Sequence, residues 1–155
     1  MRELDRLDRK ILDLLQRNGR MPMTELADKV GLSATPCTER VRRLEREGVI
    51  TGYHAHLSPA ALDKSLLVFV EIRLAKMSGE AFDKVRHEMS FVPEVLECHL
   101  VSGEFDYLIK ARIGHMNDYR RLLENILLKL PAAAQSRSLV VMEEIKETLM
   151  LPLDG

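Results

Sequence analysis

The sequence has little of what marks secreted, membrane or disordered chains. Its only cysteines, Cys37 and Cys98, make no disulfide framework, so we expect the reducing environment of the cytosol. No apolar run approaches the ~20 residues of a membrane helix, and the charged start predicts no secretory signal. Tryptophan is absent and aromatic residues make up only 5%, yet 46% of the 155 residues are hydrophobic and 30% charged, as in globular proteins.

The chain also lacks a large net charge of either sign, which at first argues against a nucleic-acid partner. The whole chain carries −1. Residues 1–53, however, hold 11 basic and 9 acidic side chains, whereas residues 54–155 hold 12 and 15. The segment 29–46 is the most biased, with five basic residues and two acidic ones. Nucleic-acid binding therefore stays open for the first third of the chain.

The apolar spacing divides the chain at the same place. In the first part apolar residues recur three and four apart, while further on continuous apolar runs alternate with helical patterns. Pro59 disfavours helix at the residue before it. We therefore predict a first domain at 1–53, a linker at 54–62 and a second domain at 63–155.

The first domain is predicted to contain three helices. The first has its apolar stripe on Leu4, Leu7, Ile11, Leu14 and Leu15 and its solvent side on Asp5, Asp8 and Arg9. A second short helix runs from about Met23 to Val30, and a third from about Ala34 to Glu47 with Ser33 as its N-cap. The tight turn at Gly31 between them is typical of a helix-turn-helix. Residues 49–53 are β-prone and form either a wing or the way into the linker.

The third helix carries side chains that suit DNA. Projected at ~100° per residue, its outward face consists of Thr35, Glu39, Arg42, Arg43 and Arg46, flanked by Thr38 and Arg40. Arginine reaches guanine edges and phosphates, and the hydroxyls and amides at a helix N-terminus hold phosphates. The alternative is a solvated helix stabilised by pairs such as Glu39 with Arg43.

The second domain repeats one pattern of strand and helix. Its predicted strands are Leu66–Leu74, Val95–Val101, Tyr107–Ile113 and Ser138–Met142, and its helices are Gly79–Met89 and Asn117–Leu130. The order βαββαβ predicts a ferredoxin-like fold of the α+β class, with both helices on one face of the sheet. Because the first strand is apolar on both sides, we expect a second copy of the chain to cover the other face. Linker or wing residues are the alternative cover.

The sequence contains no motif that indicates catalysis or the binding of a metal or a cofactor. The five histidines lack metal-ligand spacing, and the sequence has no phosphate-binding loop, dinucleotide glycine pattern or nucleophile motif. We therefore predict no enzyme, no metal and no cofactor. The loop between the middle strands is a weak candidate for a ligand site, since Gly103 permits a positive φ and Asp106 places a carboxylate at the start of a strand. A plain hairpin would look similar.

Five stretches together resemble the Lrp/AsnC (feast/famine) transcription regulators, from about Leu4 to Lys146. They read LDRLDRKIL, VGLSATPCTERVRRLEREGVI, SLLVFVEI, ECHLVSGEFDYLIK and VVMEEIK. The resemblance implies an N-terminal winged helix-turn-helix that binds double-stranded DNA and a C-terminal RAM domain that binds an amino acid. It also implies a cytoplasmic, nucleoid-associated homodimer that assembles further to an octamer and bends or wraps DNA.

The same resemblance suggests roles for particular residues. The DNA contacts would be Ser33, Thr35, Thr38, Arg42, Arg43 and Arg46, and the effector contacts would be Gly103, Asp106 and Tyr107 with Ser136 and Ser138 as weaker assignments. We therefore predict a sequence-specific regulator that responds to leucine or a similar amino acid. One alternative is an amino-acid-binding module that acts through protein contacts, with the helical domain as its docking surface. Another is an architectural DNA-binding factor that does not respond to an effector.

Overall fold

A computed structural model of the chain describes residues 3–76, 78–130 and 133–153. These residues form two compact units, one made of the chain up to His56 together with the tail from Lys146, and the other of Leu57–Ile145. The division after His56 falls within the predicted linker. The tail, which we expected in the second domain, groups with the first unit instead. No helix in the described ranges is long and apolar enough to cross a membrane.

The first unit is the predicted helix-turn-helix. Its helices are α1 (Arg6–Arg17), α2 (Met23–Val30) and α3 (Ala34–Arg46). They bury one apolar cluster of Ile11, Leu15, Met21, Leu26, Ala27, Val30, Cys37, Val41 and Leu44. Gly31 ends α2 with a left-handed conformation (φ 76°), which turns the chain directly into α3.

Two contacts join the ends of this unit to its helices. The side-chain amide of Gln16 on α1 donates to the carbonyl of Leu151 at 2.9 Å and accepts from the same residue's N–H at 3.0 Å, which explains why the tail groups here. The Tyr53 hydroxyl donates to Glu45 on α3 at 3.0 Å. Residues 49–57, all within the described part of the chain, include no strand, so this β-prone stretch leads away from α3 without regular secondary structure.

The second unit has the predicted ferredoxin-like architecture. Its strands are β1 (Leu66–Leu74), β2 (Val95–Leu100), β3 (Tyr107–Ile113) and β4 (Ala133–Val140), and its helices are α4 (Gly79–Met89) and α5 (Tyr119–Leu127). The sheet has the order β2-β3-β1-β4, and every neighbouring pair is antiparallel. Its core includes Val70, Ile72, Ile109, Val85 and Ile126, all almost completely buried.

Three elements of this unit differ from the prediction. β2 ends at Leu100 and not at the predicted Val101. The last strand begins five residues earlier than predicted and ends two earlier, because its register is set by pairing with β1 from Leu74↔Ala133 to Val68↔Val140. The last helix begins as a 3-10 turn at Met116–Asp118, so that α5 starts only at Tyr119 rather than at Asn117, and it ends at Leu127 rather than at Leu130. The predicted stop at Pro131 lies outside the described residues.

The helix-free face of the sheet is a mixture of apolar and charged side chains. Leu67 on β1 is buried and Phe69 half-buried, while Leu139 on β4 is 46% exposed. Next to the Phe69–Leu139 pair, Arg137 donates to Glu71 at 2.6 Å across the β1–β4 pair. The apolar patch predicted from the first strand is therefore bordered by an ion pair.

Candidate nucleic-acid interface and ligand site

The N-terminus of α3 presents exposed hydroxyl and amide groups. Ser33 is the N-cap by its extended backbone, but its hydroxyl makes no capping hydrogen bond, contrary to our expectation. Thr35 in the first turn is exposed. Thr38 donates its hydroxyl proton to the Ala34 carbonyl at 2.8 Å, so this side chain offers only its lone pairs to a ligand.

The outward face of α3 is basic. Arg40, Arg42, Arg43 and Arg46 line a cleft of about 580 Å³. Arg42 and Arg46 are exposed, and neither forms an ion pair with another described residue. These two guanidinium groups are therefore ready to bind an anion or the edge of a base.

Arg43 does not point outward as the helical projection suggested. Its Nη2 donates to Oδ2 of Asp8 on α1 at 2.6 Å, and only 22% of its side chain is exposed. Asp8 itself is 1% exposed, although its sequence position predicted a solvent-facing carboxylate. The long arginine side chain reaches back across α3 to this buried charge instead of pairing with Glu39.

Arg40 joins the same cluster. Its Nη1 lies 2.6 Å from a carboxylate oxygen of Asp5 and 2.8 Å from one of Asp8. The hydrogen bond with Arg40 lowers the pKa of Asp5, and both carboxylates raise the pKa of Arg40. Sequence reasoning missed Asp8 and Arg40, although the spacing of Asp5 and Asp8 is that of an N-terminal capping box, which the structure contains.

In the second unit, the loop between β2 and β3 carries the predicted effector residues. Gly103 is exposed with φ 143°, and nothing lies within 4 Å of where a side chain would begin. Asp106 is partly committed, because its Oδ2 accepts the Leu74 N–H at 2.7 Å. Its backbone N–H also donates to the Ile72 carbonyl at 2.9 Å. One carboxylate oxygen of Asp106 remains for a ligand.

Tyr107 lies apart from these two residues. Its ring is 6% exposed and packs at 6.5 Å from the ring of Phe82, between the sheet and α4. Burial is the main cause of its raised pKa. The ring lines a cavity of about 440 Å³ together with Cys98 and Arg86. Tyr107 is therefore part of the core between the sheet and α4 rather than of the exposed loop.

The last strand approaches the loop through a residue that sequence reasoning missed. The guanidinium of Arg137 lies 4.9 Å from the ring centre of Phe105, a buried loop residue. The flanking Ser136 is exposed and Ser138 half-buried. Both serines belong to the β1–β4 pair, but their side chains lie on the opposite face of the sheet from the side chain of Arg137. The only sequence feature that could have indicated this contact was the position of Arg137 between two serines where the predicted last strand begins.

These two units define a class of protein: a regulator with a DNA-binding helix-turn-helix and a separate ligand-binding domain. Residues 4–51 match the family model for winged helix-turn-helix DNA-binding, and residues 67–151 match the model for the Lrp/AsnC ligand binding domain. The chain belongs to the Lrp/AsnC family. It is a DNA-binding transcription regulator and not an enzyme.

Relatives of known identity cover nearly the whole chain. The leucine-responsive regulatory proteins of Klebsiella pneumoniae and of Escherichia coli K12 are each 52% identical over 147 residues, which is 95% of this chain and 90% of theirs. Two crystal structures each superpose with a TM-score of 0.92. One is an AsnC family regulator from Agrobacterium tumefaciens (38% identity, 96% of this chain and 97% of that one). The other is a Neisseria meningitidis transcriptional regulator in complex with L-Met (36% identity, 98% of both).

Proposed function

We propose that this regulator binds specific DNA sites through α3 and responds to leucine or a similar amino acid. The relatives named for their response to leucine, and the neighbour crystallised with methionine, support an amino-acid effector with an apolar side chain. The observation that carries the DNA assignment is the pair of unengaged arginines, Arg42 and Arg46, on the outward face of α3. Its site of action is chromosomal DNA in the cytoplasm.

On DNA, each part of α3 has a different task. Arg42 and Arg46 contact base edges or phosphates in the major groove, while Ser33 and Thr35 at the N-terminus hold a backbone phosphate. Thr38 accepts rather than donates in this interface, since its proton is bonded within the helix. Arg43 takes part only if it leaves Asp8.

The effector is a zwitterion, which needs an anionic partner for its ammonium group and donors for its carboxylate. The free oxygen of Asp106 suits the ammonium, and the backbone amides around Gly103 suit the carboxylate. Ser136 and Ser138 are further polar contacts. Tyr107 acts from the core, because it holds the start of β3 against α4.

Assembly links the two sites. The helix-free sheet face, with Leu67, Phe69 and Leu139, is the surface through which two chains form a homodimer, and dimers assemble further to an octamer. An effector bound between dimers alters the spacing of paired α3 helices only if its affinity differs between the two arrangements.

One titration tests the proposal. The full-length protein is added to a duplex of its own promoter and to a random duplex, with leucine, methionine or aspartate, while sedimentation velocity reports the size of the assembly. We expect tighter binding to the promoter and a change in affinity or size with the apolar amino acids only. Equal binding to both duplexes contradicts sequence specificity, and identical curves with every amino acid contradict the effector.

A further inference from the structure

Asp8 is a buried carboxylate whose two oxygens are both occupied by arginines of the DNA-facing helix. Its side chain is 2% exposed. Oδ1 accepts from Arg40 at 2.8 Å, and Oδ2 accepts from Arg43 at 2.6 Å. Oδ2 also lies 3.3 Å from the backbone N–H of Asp5, within the capping box of α1. Asp8 therefore links α1 to α3 through charged hydrogen bonds.

This cluster divides the arginines of α3 into two pairs. The side chains of Arg40 and Arg43 are 26% and 22% exposed and hydrogen-bonded to carboxylates, whereas Arg42 and Arg46 are exposed. Two aspartates and two arginines make a neutral group. Half of the positive charge on this face of α3 is thus already compensated before DNA arrives.

Sequence-independent DNA affinity depends on the number of phosphates that basic side chains neutralise. Each neutralised phosphate releases counterions and adds ~0.9 to the slope of log K against log salt concentration. An arginine that is bonded to a buried carboxylate has to give up that charge-assisted bond before it can bind a phosphate. Such an arginine contributes little to this part of the affinity.

We propose that Asp8 is a positioning residue that withholds Arg40 and Arg43 from the DNA backbone and so limits sequence-independent affinity. The inward position of Arg43 depends on this carboxylate, because its Nε is buried without a hydrogen-bond partner. An asparagine at this position offers one neutral acceptor oxygen to two guanidinium groups, which is weaker than the charged bonds of Asp8 and does not offset that unsatisfied donor. The guanidinium of Arg43 then turns to solvent and to phosphate. Arg40 keeps its second partner, Asp5, at 2.6 Å and moves less.

The test compares D8N with D13N in the full-length protein. Both variants remove one negative charge from α1, but Asp13 pairs with Arg17 of the same helix at the surface. Binding to a random duplex is measured by fluorescence anisotropy at several salt concentrations between 50 and 200 mM. We expect D8N to bind more tightly at low salt and to steepen the slope by ~0.9 for Arg43. D13N should keep the slope of the original protein.

A second variant keeps the proposal testable if D8N folds poorly by circular dichroism. R43M should leave the salt slope of the original protein unchanged, whether or not D8N folds. Where D8N does fold, the double variant D8N/R43M should lose the gain of D8N. The opposite role, in which Asp8 braces arginines that already touch DNA, predicts a flatter slope and weaker binding for both D8N and R43M. Either of those results, or an unchanged slope in folded D8N, would overturn the proposal.

Discussion

The polar side chains of α3 and those of the β2–β3 loop differ in how many hydrogen-bond partners they already have within the protein. On α3, two of four arginines are held by carboxylates of α1, and Arg42 and Arg46 remain entirely available. In the loop, the carboxylate of the predicted effector residue Asp106 is shared, since it already accepts the Leu74 N–H. A side chain's existing partners, rather than its type, therefore decide what it can offer a ligand.

The largest effect that we expect concerns the available arginines. Arg42→Ala and Arg46→Ala should each lower affinity for promoter DNA by ~1–3 kcal/mol if they contact bases, and should flatten the salt slope by about one where they contact phosphate. Anisotropy titrations over a salt series measure both quantities. Arg120→Ala, which removes an exposed arginine from α5, is the matched control. Unchanged DNA binding in both α3 variants would favour a protein-docking role for the helical domain.

Two substitutions of Asp106 can distinguish its contribution to stability from its contribution to effector binding. Asp106→Ala leaves the Leu74 N–H without its acceptor, so we expect a loss of ~1–3 kcal/mol in unfolding free energy together with the effector response. Asp106→Asn keeps an acceptor oxygen but not the charge. It should unfold almost like the original protein in urea and still lose the leucine effect on DNA binding. A full leucine response in folded Asp106→Asn would leave Asp106 with a structural role alone.

The two N-cap serines, Ser78 and Ser33, also differ in whether the hydroxyl already has a partner, and we expect a smaller effect from this difference. Ser78 accepts the Ala81 N–H at 3.2 Å at the start of α4, whereas the hydroxyl of Ser33 is unengaged. Ser78→Ala should therefore cost ~1 kcal/mol of stability. Ser33→Ala should change stability by less than that and instead weaken DNA binding. Thermal unfolding and DNA titration of both variants decide this, and equal losses of stability would argue against a free hydroxyl at Ser33.

The smallest effect appears only in alkali. Burial and the hydrogen bond to Glu45 raise the pKa of Tyr53 from 10 to about 12. Because the folded state binds this proton more tightly than the unfolded state, its contribution to stability is complete below pH 10 and is lost as the pH rises toward 12. An absorbance titration of tyrosinate should contain a late component that becomes smaller in Tyr53→Phe, while the buried Tyr107, whose pKa is also raised, keeps its share. A variant with the same titration curve would contradict the assignment.

Most of the fold was predictable because its elements are marked locally. The apolar spacing of α2 and the strand pattern of β1 and β3 identified these elements with the bounds that the structure has. The start of β4 was not predictable, since Ala133, Gln135 and Ser136 have no alternation of apolar residues and form a strand only through pairing with β1. A partner strand supplies what the local pattern lacks.

The candidate sites were less predictable than the fold. Helical projection placed Arg42 and Arg46 correctly on the outward face, but it placed Asp8 in solvent and Arg43 outward. A projection describes where a side chain begins, whereas an arginine extends far enough to choose among several partners. The contact of Arg137 with Phe105 depends in the same way on strand register.

The sequence by itself determined the two-domain organisation, the helix-turn-helix and the βαββαβ order, because periodicity, caps and turns act over a few neighbouring residues. Only the tertiary structure decided which charged groups remain for DNA and for an effector. That choice depends on groups distant in sequence, such as Asp8 with Arg43 and Asp106 with Leu74, which meet only when the helices and strands pack.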